Sequence, residues 1–174
     1  MIVVHIDSME DTSILKKVYE GLDDIKLLVN PTRKQLREML KENPTERLLV
    51  MGHGTSFGLL NANLTGFILT SEDATLLRSR EVVGIFCYAS SFAQMEGLHG
   101  FFTSMFISNQ NEASVYGYDA DNSDVFNEVS LFSQRLNTLF RNQTALSEWA
   151  DILRSQADYS KDYVAFNYDG LRSY

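Results

Sequence analysis

Two side chains in this sequence are of types that do chemistry together, and each closes an apolar run. His53 follows Arg47-Leu48-Leu49-Val50-Met51-Gly52, and Cys87 follows Glu81-Val82-Val83-Gly84-Ile85-Phe86. A thiol attacks carbonyl carbon as its thiolate, and a neighbouring imidazole generates that thiolate by taking the proton. The chemistry available to such a pair is acyl transfer through a thioester. Gly54 puts a backbone without a side chain beside the imidazole, so its amide and that of Cys87 can face the oxyanion developing at the attacked carbonyl. Each preorganised amide of that kind lowers the barrier by about 3 kcal/mol. A single Cys in an apolar run is often an inert core residue, and a single His beside Gly is often a turn residue. The two at the ends of successive apolar runs, with a glycine next to the His, favour chemistry over coincidence. His5 lies inside an apolar run and His99 in a helical or loop stretch, so both take structural roles.

Short apolar runs separated by helix-length segments are central strands of a parallel α/β sheet, buried on both faces. In such sheets ligands bind beyond the carboxyl ends of the strands, which is where His53 and Cys87 stand. In chain order the pattern predicts a strand over 2–6 ending at Asp7, and a helix over 13–19 capped by Asp11, Thr12 or Ser13. A strand over 25–29, stopped by Asn30-Pro31, and a helix entered through Thr32 follow. Next come a strand over 47–51, a β-hairpin within 54–69, a short helix over 71–77 and a strand over 81–86. Helices are expected over 90–95 and 98–108, the second presenting Phe101, Phe102, Met105 and Phe106 on one face. A strand over 113–118 ends at Asp119. Helices over 123–141 and 144–155 and an edge strand over 163–168 complete the chain. The expected architecture is one α/β domain spanning 1–174. It is a three-layer sandwich with a mostly parallel sheet in the order 2-1-3-4-5, a C-terminal edge strand, and helices on both faces.

Bulk properties remove several function classes. The formal net charge of −8 and a pI near 4.8, with Lys and Arg scattered, exclude a phosphate-binding face for nucleic acid or an anionic membrane. No run of about 20 apolar residues exists to span a bilayer. The first residues lack the charged and apolar regions of a signal peptide. One Cys rules out an intrachain disulfide and CxxC motifs, which points to a reducing, cytoplasmic setting. Neither a P-loop nor a dinucleotide fingerprint follows any strand, and no metal-ligand spacing occurs, so no cofactor or metal is implied. A serine-hydrolase reading of Gly52-His53-Gly54-Thr55-Ser56 as an oxyanion loop is set aside on the expectation that the chain has no Gly-x-Ser-x-Gly nucleophile elbow.

An apolar strand running into His-Gly, followed by an apolar strand running into Cys, resembles the cysteine peptidase clan of caspases, metacaspases, gingipains, clostripain, separase and bacterial CHAT-type peptidases. The likeness rests on blocks 48–54 and 82–90 and, by element order, extends over about residues 1–120. It implies a caspase-like fold and an endopeptidase acting on a protein or peptide substrate, with His53 as general base and acid, Cys87 as nucleophile and Gly54 as oxyanion donor. The chain departs from the caspase signature in having Phe86-Cys87-Tyr88-Ala89-Ser90 where caspases have Gln-Ala-Cys-X-Gly. Its His-to-Cys separation, 87 − 53 = 34, is shorter than the roughly 50 of caspases. Both departures suit a compact bacterial-type member. Asp7 and Asp119, after the first and fifth predicted strands, are candidate substrate-binding carboxylates that would favour cleavage after basic residues, as the acidic pockets of metacaspases, gingipain R and separase do. A helix cap at Asp7 or a turn at Asp119 accounts equally well for those positions. The alternative function is a non-catalytic caspase-like or flavodoxin-like interaction domain with Cys87 buried.

Overall fold

The computed structural model describes residues 1–8 and 12–174. Its framework is a six-stranded mixed sheet. Strands β1 (Ile2–His5), β2 (Lys26–Val29) and β3 (Leu48–Met51) belong to it, as do β7 (Val82–Ile85), β8 (Gly100–Phe102) and β9 (Arg172–Ser173). The order is β2-β1-β3-β7-β8-β9, parallel throughout except for the antiparallel β8–β9 pair. The four strands expected at 2–6, 25–29, 47–51 and 81–86 therefore take the predicted positions.

Alternation within each strand sends side chains to two cores. Val3, Leu49, Val83 and Phe101 pack on one face beneath the 3-10 helix Ser13–Val18 and helices α5 (Asn122–Arg141), α6 (Leu146–Ser155) and α7 (Asp162–Asp169). Ile2, Val4, Leu48, Val50 and Val82 pack on the other, against α1 (Arg33–Glu42), α2 (Ala74–Leu77) and α3 (Ala89–Glu96). Both faces are covered, and for that reason the strands read as continuous apolar runs. Each fully buried Val, Leu or Ile contributes roughly 1.5–3 kcal/mol. Helix α1 starts at a capping box in which Thr32 and Gln35 satisfy each other's backbone N–H groups. Thr12 stands at the N-cap of the 3-10 helix, with its hydroxyl donating to Ile6 O at 2.8 Å, while Asp11 lies outside the described residues. Strands β4 (Gly54–Thr55), β5 (Gly58–Leu60) and β6 (Phe67–Thr70) form a separate antiparallel sheet in the predicted hairpin region.

Three expected elements differ. The stretch 98–108 is not a helix: Gly100, Phe101 and Phe102 form β8 and occupy the fifth place in the sheet. A Cβ on Gly100, whose φ is +139°, would lie 1.9 Å from Val82 O, so the close approach of β7 requires glycine there. The stretch 113–118 is not a strand but the end of α4 (Gln110–Val115) and the turn after it. Asn109 caps α4 by accepting Glu112 N at 2.9 Å, and only Ala113 of the helix is buried, so this segment has no two-sided core to enter. The stretch 163–168 is helical α7, not an edge strand. Its buried residues Tyr163, Val164, Asn167 and Tyr168 share one helical face, and the Asn167 amide bonds Ile107 N at 2.7 Å and Ile107 O at 3.0 Å. The C-terminal edge strand is the shorter β9.

Candidate functional site

The sheet register fixes where His53 and Cys87 stand. Met51 pairs with Ile85 at the last rung between β3 and β7, and Gly52 N extends the ladder by donating to Ile85 O at 3.1 Å. His53 and Cys87 each lie two residues beyond that rung, on neighbouring parallel strands roughly 4.8 Å apart. Both half-buried residues line one inner cavity of about 40 Å³ and an outer groove of about 490 Å³, so they form the partition between the two.

The backbone around the thiol is occupied except at one point. Phe86 N donates to the Thr103 hydroxyl at 3.1 Å, Tyr88 N to Ser104 O at 3.1 Å, Ala89 N to Phe86 O at 3.1 Å and Ser90 N to Thr103 O at 2.8 Å. Cys87 N–H alone in this run has no protein acceptor among the described residues. Tyr88 takes the left-handed conformation, φ +64°, to turn the chain from β7 into α3. Opposite it, Gly54 pairs with Leu59, and Leu60 N donates to His53 O at 2.9 Å. Gly54 therefore sits at a non-hydrogen-bonded position of the ladder, and its N–H faces away from β5. Glycine is also required there by packing, because a Cβ would lie 2.3 Å from the Phe86 ring.

Cys87 and His53 are not hydrogen-bonded to each other. The Cys87 thiol donates to Phe106 O at 3.8 Å, on the inner-cavity side, and the His53 ring has no hydrogen-bond partner among the described residues. Burial pushes the Cys87 thiol up to about 11, and the Glu112 carboxylate acts in the same sense. The resting group is a thiol, and its hydrogen bond goes to Phe106 O and not to the imidazole.

The other predicted site residues lie elsewhere. Asp7 N donates to Asn30 Oδ1 at 2.8 Å, and Asn30 Nδ2 donates to Asp7 O at 3.1 Å. Asp119 is exposed in the turn between α4 and α5, not at a strand end. Neither lines the cavity or the groove. The carboxylate in the groove belongs to Glu112, which was not singled out from sequence, nor were its neighbours Tyr88, Val115 and Tyr116. The pattern Asn109-x-x-Glu112, a helix N-cap with its acidic third residue, was the available signal. His5, by contrast, is fully engaged: its Nδ1 meets the Tyr19 hydroxyl at 3.0 Å and its Nε2 meets Thr12 O at 2.8 Å. Desolvation lowers its pKa, so it is held neutral, with Nε2–H donating to Thr12 O.

The spacing Gly54-Thr55-Ser56-Phe57-Gly58 does match Gly-x-Ser-x-Gly, the serine-hydrolase motif. Here it is the tight turn of an antiparallel pair, with Thr55 opposite Gly58, and no helix follows it. A nucleophile elbow is a strand-to-helix turn at a sheet's carboxyl edge, so Ser56 lacks that setting. No protein-family model matches the chain, and no curated protein matches it in sequence. None of the helices is long and apolar enough to cross a membrane, among the described residues.

Proposed function

We propose that this chain is a cysteine endopeptidase of the caspase-like clan, with Cys87 as nucleophile and His53 as general base and acid. The observation that carries the reading is the matched placement of the two residues beyond one rung of β3 and β7, next to a Cys87 N–H that has no acceptor among the described residues. In the cycle, His53 takes the thiol proton and Sγ bonds to the substrate carbonyl carbon. The carbonyl oxygen accepts from the N–H groups of Cys87 and Gly54. His53 then gives the proton to the leaving amine as the C–N bond breaks, leaving a thioester. Water, deprotonated by His53, attacks that carbon. The C–S bond breaks, the acid product leaves, and Sγ recovers the proton. A reducing compartment such as the cytoplasm suits such a thiol.

One observation favours the second reading, a non-catalytic interaction domain: Sγ donates to Phe106 O and not to His53. Profiling of the purified protein against a peptide library separates the two. Cleavage that is lost in Cys87→Ala and in His53→Ala, with both variants folded by circular dichroism, supports the peptidase. A library untouched by wild-type protein, with Cys87 labelled only after denaturation, supports the interaction domain.

A further inference from the structure

We propose that the outer groove seats a large apolar side chain, Leu, Met or Phe, on the acyl side of the scissile bond, so that the substrate is a peptide with an apolar residue before the cut. This rests on the dyad reading above. His53 and Cys87 form the inner end of the groove, and any acyl group in reach of Sγ has its own side chain at that point. The walls there are apolar side chains left uncovered by the fold: Val115 is 81% exposed, Leu64 55%, Tyr116 40% and Tyr88 39%. Scattered exposed apolar residues are ordinary, but four lining one concave surface beside a nucleophile mark a recognition surface. The aromatic wall is fixed in place. One of the Tyr88 and Tyr116 hydroxyls donates to the other at 3.3 Å, and the Tyr116 ring packs on Phe166 at 5.3 Å between centroids.

Among the described residues the groove holds one carboxylate, and one of its oxygens is occupied by neutral donors. Glu112 Oε2 accepts from Ser108 N at 2.7 Å and Ser108 Oγ at 2.9 Å, at the N-terminal end of α4. Asp7 and Asp119, which would have recruited a basic residue, do not line the groove. A Lys or Arg entering it would lose water against Tyr, Val and Leu side chains with Glu112 as its one opposite charge, whereas an apolar side chain gains by leaving water along the whole wall.

The test separates binding from chemistry. Fluorescein-labelled octapeptides of one sequence, varied only at the fourth residue among Leu, Phe, Arg, Lys and Asp, are titrated against Cys87→Ala protein by fluorescence anisotropy. Leu and Phe peptides are expected to bind at least tenfold more tightly than the charged ones. Adding Val115→Asp, an exposed position that tolerates charge without unfolding, is expected to weaken the Leu peptide at least fivefold, with Val115→Ile restoring it. Tighter binding of Arg, Lys or Asp, indifference to Val115→Asp, or no binding of any peptide overturns the proposal. Wild-type cleavage is then scored separately. Cleavage with the charged peptides ahead overturns the apolar subsite and leaves the dyad standing. The predicted binding order without cleavage upholds the groove and removes the dyad.

Discussion

Alkylation of Cys87 by iodoacetamide across pH reports directly on the resting state of the thiol, and the single Cys in the chain makes the assay specific. Burial sets the thiol at about 11 against an ordinary 9.0. At about pH 7.5 the thiolate fraction is then about 0.03% in the folded protein and about 3% in the denatured one, a hundredfold ratio. A more basic thiolate is also a stronger nucleophile, with a Brønsted slope near 0.4–0.5, which returns about tenfold. The folded protein should therefore react about tenfold more slowly than the denatured protein, before any loss of access. Its rate should still rise close to tenfold per pH unit between about pH 9 and 10, where a free thiol levels off. Since no hydrogen bond joins Sγ to His53 in this state, His53→Ala should leave the profile unchanged. Mass spectrometry of the adduct provides the rate. A folded-state midpoint at or below 9, or a profile shifted by His53→Ala, would refute the reasoning, because the imidazole and not burial would then govern the thiol.

Further outcomes follow from the packing and the titrations. Because the folded thiol keeps a proton that the unfolded chain releases, stability should be complete below about pH 9 and fall as pH rises through about 11. Discounted for partial exposure, the loss is about 1–2 kcal/mol and should be absent in Cys87→Ala, as read by urea unfolding at each pH. His5 behaves oppositely: its lowered pKa contributes stability above the ordinary 6.5 that is lost as pH falls below it, and His5→Phe should flatten that acid limb. Gly54→Ala would drive its methyl into Phe86 and Gly58 O, costing about 1–3 kcal/mol in chemical denaturation. Asp73, 1% exposed, accepts from Arg33, Arg37 and Thr70 N. Asp73→Ala should cost about 1–3 kcal/mol, because Arg33 and Arg37 keep water and Glu72 while Thr70 N loses its acceptor, and no measurable loss would show the network to be dispensable.

The sequence by itself determined the inner sheet and the placement of the two candidate catalytic residues. Runs such as Val82-Val83-Gly84-Ile85 are apolar at every position because helices cover both faces, and a strand buried that way needs no wider context to be recognised. The position of His53 and Cys87 beyond the strand ends follows from chain direction alone. Tertiary structure decided the far side of the sheet. Phe101, Phe102, Met105 and Phe106 fit a helical stripe as well as a strand, and what makes Gly100–Phe102 extended is the backbone of β7 lying against it, which no local pattern encodes. Tyr163, Val164, Phe166 and Tyr168 carry strand propensity, yet the segment winds into α7 because that brings Asn167 to the Ile107 backbone and Tyr168 to Glu128, at 2.8 Å. With 113–118 freed from the sheet, Asp119 lost its strand end, and Glu112, Val115 and Tyr116 came to the groove in its place. Local periodicity is enough where every position of a longer apolar run is buried. Where a segment is short, the partner it packs against selects between helix and strand, and that partner is not written in the local pattern.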